Sequence, residues 1–185
     1  MAAIVLHWAI ALLILANLFV GWRMGMLKGL TEFNAFQLHK SIGITVLVLS
    51  VLRLALRLTQ RPPPLPEGTK SWEGAAASTV HWIFYAMMIG LPLTGWAMVS
   101  VSLYNIPTLL WHTVPWPHIS FLHELPIESR RSVEDVNERI HYVMAWGGAF
   151  LILLHVAAAL KHQFINRDGV LGRMLPWPAP RPTNQ

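Results

Sequence analysis

Four long apolar stretches, separated by polar or proline-rich links, set the pattern of this 185-residue chain. They run approximately from Ile4 to Trp22, Leu38 to Leu58, Thr79 to Val101 and Ile140 to Phe164. Each is close to the roughly 20 residues of helix that cross about 30 Å of hydrocarbon. The other way to span a bilayer, a closed β-barrel, needs short strands of alternating polarity, which continuous apolar runs do not supply. The pattern therefore predicts an all-α fold, an integral membrane four-helix bundle. Arg61-Pro-Pro-Pro-Leu-Pro66 cannot continue a helix and predicts a stiff, extended link. The longest link, Ser102 to Arg139, is broken by Pro107, Pro115, Pro117 and Pro126 and ends in a polar, helix-compatible stretch from Glu128. Residues 1–176 read as a single transmembrane domain. Residues 177–185, opening Trp177-Pro-Ala-Pro-Arg-Pro182, have too few apolar side chains to bury and are expected to form a mobile tail.

Composition supports the membrane reading. The chain is 54% hydrophobic and 12% charged, about half the charge usual for a soluble domain. A net charge of +5 would also suit a nucleic-acid binder, but Lys and Arg flank the apolar runs instead of forming a stripe, so no nucleic-acid partner is expected. The lipid bilayer is the partner these flanks imply. The absence of cysteine excludes disulfides, thiolate iron–sulfur ligation and covalent haem attachment. The opening Met1-Ala-Ala-Ile4 lacks the positive start of a signal peptide and reads as a retained first span. Eight Lys and Arg residues lie on the side of the second-to-third link and the C-terminal tail, against six on the other. This margin predicts that both termini are cytoplasmic.

An ionisable residue inside a membrane helix is a functional hypothesis by default. His141 and His155 are fourteen residues apart on the fourth span, about 40° short of four turns, so both point to one face. They are roughly 21 Å apart along the axis, one near each membrane surface. Antiparallel threading puts His7 at the depth of His155, and His39, at the opening of the second span, level with His141. Each pair could clamp a planar macrocycle, giving iron with two axial imidazoles and predicting two b-type haems bound between helices. Zinc or copper would want ligands at short helical spacing, which these four lack.

With these features the chain resembles the bacterial dihaem cytochrome b561 family over nearly its full length, His7 to Pro176. The resemblance rests on His7-Trp8, on His39, and on Val51-Leu-Arg-Leu-Ala-Leu-Arg57 closing the second span. It rests further on Gly90-Leu-Pro-Leu-Thr-Gly95 and on His155-Val-Ala-Ala-Ala-Leu-Lys-His162. It departs from the family in the very short lead before His7. The resemblance implies the same four axial ligands, location in the bacterial inner membrane, and electron transfer resembling that of a superoxide:ubiquinone oxidoreductase. Superoxide would be the periplasmic donor and ubiquinone the acceptor. A related expectation is a cytochrome subunit that anchors a dehydrogenase or hydrogenase and takes electrons from that protein partner.

Other residues carry two readings each. Arg53 and Arg57 could neutralise haem propionates or snorkel to the headgroups. His162 and His81 are quinone candidates, since a quinone needs a proton-exchanging hydrogen-bond partner, or are interfacial histidines. Lys28, Lys40, Arg130, Arg131 and Arg139 could steer an anion toward the outer haem, although six carboxylates share that side. His112, His118 and His123 are expected on a surface-lying segment. Pro92 marks a kink in the third span, where the flanking glycines could also admit a haem edge.

Overall fold

The computed structural model describes residues 1–60, 71–169 and 171–174. The proline link at 61–66 and the tail at 177–185 lie outside these described residues. Four helices are long and apolar enough to cross a membrane. Three of them are α1 (Ala2–Met24), α2 (Gly29–Thr59) and α3 (Ser71–Val101). An antiparallel hairpin of β1 (Thr108–Leu110) and β2 (Val114–Trp116) follows, with Leu109 opposite Pro115. The short α4 (Ser120–His123) then leads into α5 (Ile127–Lys161), the fourth span, which ends in a π-helical turn at His162–Asn166. A 3-10 turn at Leu171–Met174 comes last. The bundle end holding the start of α1 is called the near face, and the opposite end the far face.

Three helices begin earlier than their apolar runs. α2 starts at Gly29 instead of Leu38, α3 at Ser71 instead of Thr79, and α5 at Ile127 instead of Ile140. His39 and His141 therefore lie well inside α2 and α5 and do not open them. The 31 residues of α2 and 35 of α5 would measure roughly 46 and 52 Å, longer than the hydrocarbon, and the added turns are polar and helical. Acidic Glu32 and Glu128 in the first turns, and Arg57 and Lys161 in the last, complement the helix dipoles. Gly29, at φ +64, lets the chain reverse between α1 and α2. Pro92 lies inside α3, which continues on both sides of it.

The core sits among α1, α2 and α3, where Ile10, Ile42, Val46, Tyr85 and Met88 form one buried cluster. α1 packs on α2, α2 on α3, and α3 on α5, whereas α5 makes only sparse backbone contact with α1 and α2 and buries none of its residues. Apolar side chains left on the outside suit a surrounding of lipid.

The far-face segment after α3, largely exposed, is pinned to the bundle by buried polar side chains. Gln37 Nε2 donates to the Pro107 carbonyl (2.8 Å), and Gln37 Oε1 accepts from Leu109 N (3.3 Å). Ser41 Oγ accepts from Trp111 N (2.9 Å), and Ser100 Oγ accepts from Ile119 N (2.9 Å). Gln37, Ser41 and Ser100 are each at most 1% exposed, so they satisfy backbone groups that water cannot reach. Gln37→Ala should therefore cost about 1–3 kcal/mol, the penalty for leaving a buried group unpaired. Thermal unfolding in detergent would read this as a lowered Tm, with Ser132→Ala, whose hydroxyl is exposed and bonded only within its helix, as the unchanged control.

Candidate functional site

The structure brings the four depth-matched histidines together in two pairs. The His7 and His155 rings lie 6.3 Å apart between centroids at 69°, bridging α1 and α5 on the near-face side. The His39 and His141 rings lie 6.1 Å apart at 68°, bridging α2 and α5 toward the far face. Two metal–imidazole bonds of about 2.0 Å, plus roughly 1.1 Å from each ring centre to its nitrogen, ask for about 6.2 Å between centroids. Both pairs have the spacing of two imidazoles on opposite sides of one iron. They also join α5 to α1 and α2, helices with which it makes only sparse backbone contact.

The surroundings of the far-face pair fit the same group. His141 Nδ1 is 3.1 Å from the Leu91 carbonyl and 2.9 Å from Thr94 Oγ1, so Nε2 is the ring nitrogen without a hydrogen-bond contact to α3. His39 Nδ1 is buried without a hydrogen-bond partner, facing the Asn17 backbone without closing a bond to it. Two glycines let the rings approach the neighbouring helices. A Cβ on Gly21 would lie 3.0 Å from His39 Cε1, and one on Gly95 would lie 3.3 Å from His141 Cε1. The glycines flanking Pro92 thus have a packing role in addition to the proline, because a Cβ on Gly90 would meet the Met144 methyl at 3.1 Å. Sequence reasoning missed Gly21 and Thr94.

At the near face, His81 also brings its ring to 6.3 Å from that of His155, and Phe84 packs edge-on against His155 at 5.2 Å. His81 is therefore part of the near-face cluster. Arg53 lies within electrostatic reach of His7, His81 and His155, with its guanidinium 5.7 Å from the Tyr85 ring centre, and Arg57 is within reach of His81. Such a cationic group suits haem carboxylates. His162 stands apart in the π turn, paired through Nδ1 with Asp168 and 3.3 Å from Asn166 Nδ2. A surface concavity lined by Gln163, Phe164, Arg167 and Gly169 lies next to it. Trp8 Nε1 donates to the Met174 carbonyl (2.7 Å) and so ties the last described turn to α1 beside His7.

On the far face, Lys40 and Arg130 gather near His118, while Arg130 is held by the Val101 and Ser102 carbonyls at 2.8 and 2.6 Å. Burial pushes the His118 pKa below its usual range, with His123, Lys40 and Arg130 adding to the effect. His118 and His123 pack ring to ring at 5.1 Å, but no group of three metal-ligating side chains occurs among the described residues.

Comparison with known proteins places this geometry in a family. A sequence profile described as prokaryotic cytochrome b561 matches residues 1–177. The chain is 30% identical over 179 residues to cytochrome b561 homolog 1 of Escherichia coli (strain K12), covering 94% of each chain. It is 28% identical over 172 residues to cytochrome b561 homolog 2 of the same organism, covering 91% of this chain and 86% of the relative. It is also 26% identical over 176 residues, 92% of each chain, to a protein of Yersinia pestis named probable superoxide oxidase CybB. Four apolar spans, histidines paired across them and a match along nearly the whole length make this chain a member of the prokaryotic cytochrome b561 family, membrane oxidoreductases that carry electrons on b-type haem.

Proposed function

We propose that the chain carries electrons through two b-type haems, one held by His39 and His141 and one by His7 and His155, from superoxide on the far face to ubiquinone on the near face. The observation that carries this reading is the pair of ring spacings, 6.1 and 6.3 Å, on ligands four turns apart along α5. Each histidine pair would hold a haem b, which would supply reversible one-electron exchange at iron. The far face lies in the periplasm and the near face in the cytoplasm of the bacterial inner membrane. That assignment rests on the eight-to-six distribution of Lys and Arg. Arg53 and Arg57 would balance the propionates of the near-face haem, and Lys40 with Arg130 would favour approach of a small anion to the far face. The relative named a probable superoxide oxidase supports superoxide as that anion.

Two superoxide anions would give one electron each and leave as dioxygen, while one quinone takes two electrons and two protons. His162 is the residue proposed to pass those protons. Asp168 engages its Nδ1, so Nε2 is the atom left to face a quinone carbonyl, and His81 is the second candidate. The test is haem reduction and quinol formation by the purified protein when superoxide is generated enzymatically. Asp168→Asn should slow quinol formation about tenfold or more while leaving haem reduction by superoxide unchanged, within the range expected for loss of acid–base assistance. Reduction by dithionite but not by superoxide would instead favour the anchor-subunit reading, with a protein as donor.

A further inference from the structure

The four paired histidines are not held alike. Of these four, only His141 closes hydrogen bonds at Nδ1 with a described residue; His39 Nδ1 is buried without one, and His7 and His155 form none among the described residues. The partners of His141 form a triangle on α3. Thr94 Oγ1 donates its proton to the Leu91 carbonyl at 2.7 Å, so its lone pairs face His141 Nδ1 at 2.9 Å, and the same Nδ1 is 3.1 Å from the Leu91 carbonyl. Because the hydroxyl proton is committed to Leu91, the proton between the ring and Thr94 has to belong to Nδ1. That fixes one tautomer and turns the Nε2 lone pair toward His39.

A hydrogen bond donated from the far nitrogen of an imidazole also raises the basicity of its ligating nitrogen. A more basic axial ligand stabilises ferric over ferrous iron, and hydrogen bonding around the ligand is one of the levers that set a haem potential. We propose that Thr94 is a positioning residue for the far-face haem: together with the Leu91 carbonyl it locks the tautomer of His141 and lowers the potential of the iron His141 binds. An electron arriving at the far face is then the more readily passed on across the membrane. This inference rests on the reading of His39 and His141 as a haem pair and requires no particular donor or acceptor.

The experiment is a potentiometric titration of the purified two-haem protein, repeated on Thr94→Val and Thr94→Ser. It is run also in a His155→Ala background, where the far-face haem alone remains. Thr94→Val keeps the shape and removes the acceptor. It should raise the equilibrium constant for reduction of the far-face haem about tenfold, which is about 59 mV upward for a one-electron couple. The near-face haem should not move, and Thr94→Ser, which keeps the hydroxyl, should titrate like the parent. An unchanged far-face potential in Thr94→Val, or an equal shift in Thr94→Ser, overturns the proposal. If the valine variant does not load the far-face haem, Thr94→Ala, which adds no bulk, reads the same shift. A parent protein carrying fewer than two haems would overturn the site reading itself, before any Thr94 variant is measured.

Discussion

Substituting His141 or His155 by alanine should lower the haem content from about two per chain to about one, with a different haem lost in each case. The expectation follows from the separation of the pairs, since each histidine of α5 faces a partner on a different helix. Removing one imidazole would leave the haem held by the remaining histidine alone, and without cysteine no thioether could retain the macrocycle. Haem quantified per chain, with a reduced-minus-oxidised spectrum, decides the matter. Loss of both haems in each variant would mean a shared site and would undo the pairing. His81 sharpens the test, because its ring is as far from His155 as the His7 ring is. His7→Ala should lose the near-face haem; retention of two haems would show that His81 is the ligand partner of His155.

The second large effect should come from a residue with no chemistry of its own. Gly21→Val should displace the His39 ring, since even the first carbon added at Gly21 would stand 3.0 Å from His39 Cε1 and a branched chain cannot turn away from it. The far-face haem should be largely lost while the near-face haem remains. At Gly25, one turn further along, an added Cβ would meet nothing within 4 Å, and Gly25→Val should keep both haems. Equal haem content in the two variants would show that the close approach of α1 to His39 is not required.

How much of this was legible in the sequence depended on which physical signal each feature leaves. Apolar runs register the hydrocarbon and not the helix, so all four spans are legible, while the polar turns at 29–37 carry no helical signal and those at 128–139 read as helix-compatible without being joined to the span that follows. The same-face spacing of His141 and His155 survives in one dimension because a straight helix preserves it. Matching depth through antiparallel threading then suggested the partners whose rings the structure brings together. Gly21 and Thr94 left no such trace. Their roles depend on contacts across helices, and neither residue is unusual in a membrane span. His162 with Asp168 was illegible for a different reason, since a π turn abandons the 3.6-residue period on which spacing arguments rest. Gln37 and Ser41 did leave a signal, two polar residues one turn apart at the edge of an apolar run, and that spacing could have been read as an anchor for the following loop.

The sparse contact of α5 with α1 and α2 has a consequence for how the protein matures. In water, a helix held off from its neighbours would close onto them to bury apolar surface. In a bilayer that force is absent, because lipid tails are as apolar as leucine. α5 is fastened mainly to α3. A newly inserted chain would therefore leave the seams between α5 and its sparsely contacted neighbours open to lipid, and a flat, greasy cofactor would enter sideways without any helix leaving the membrane. On the proposed pairing, imidazole bonds would then be the latch that shuts each seam, and prosthetic-group loading would be the last step of tertiary assembly.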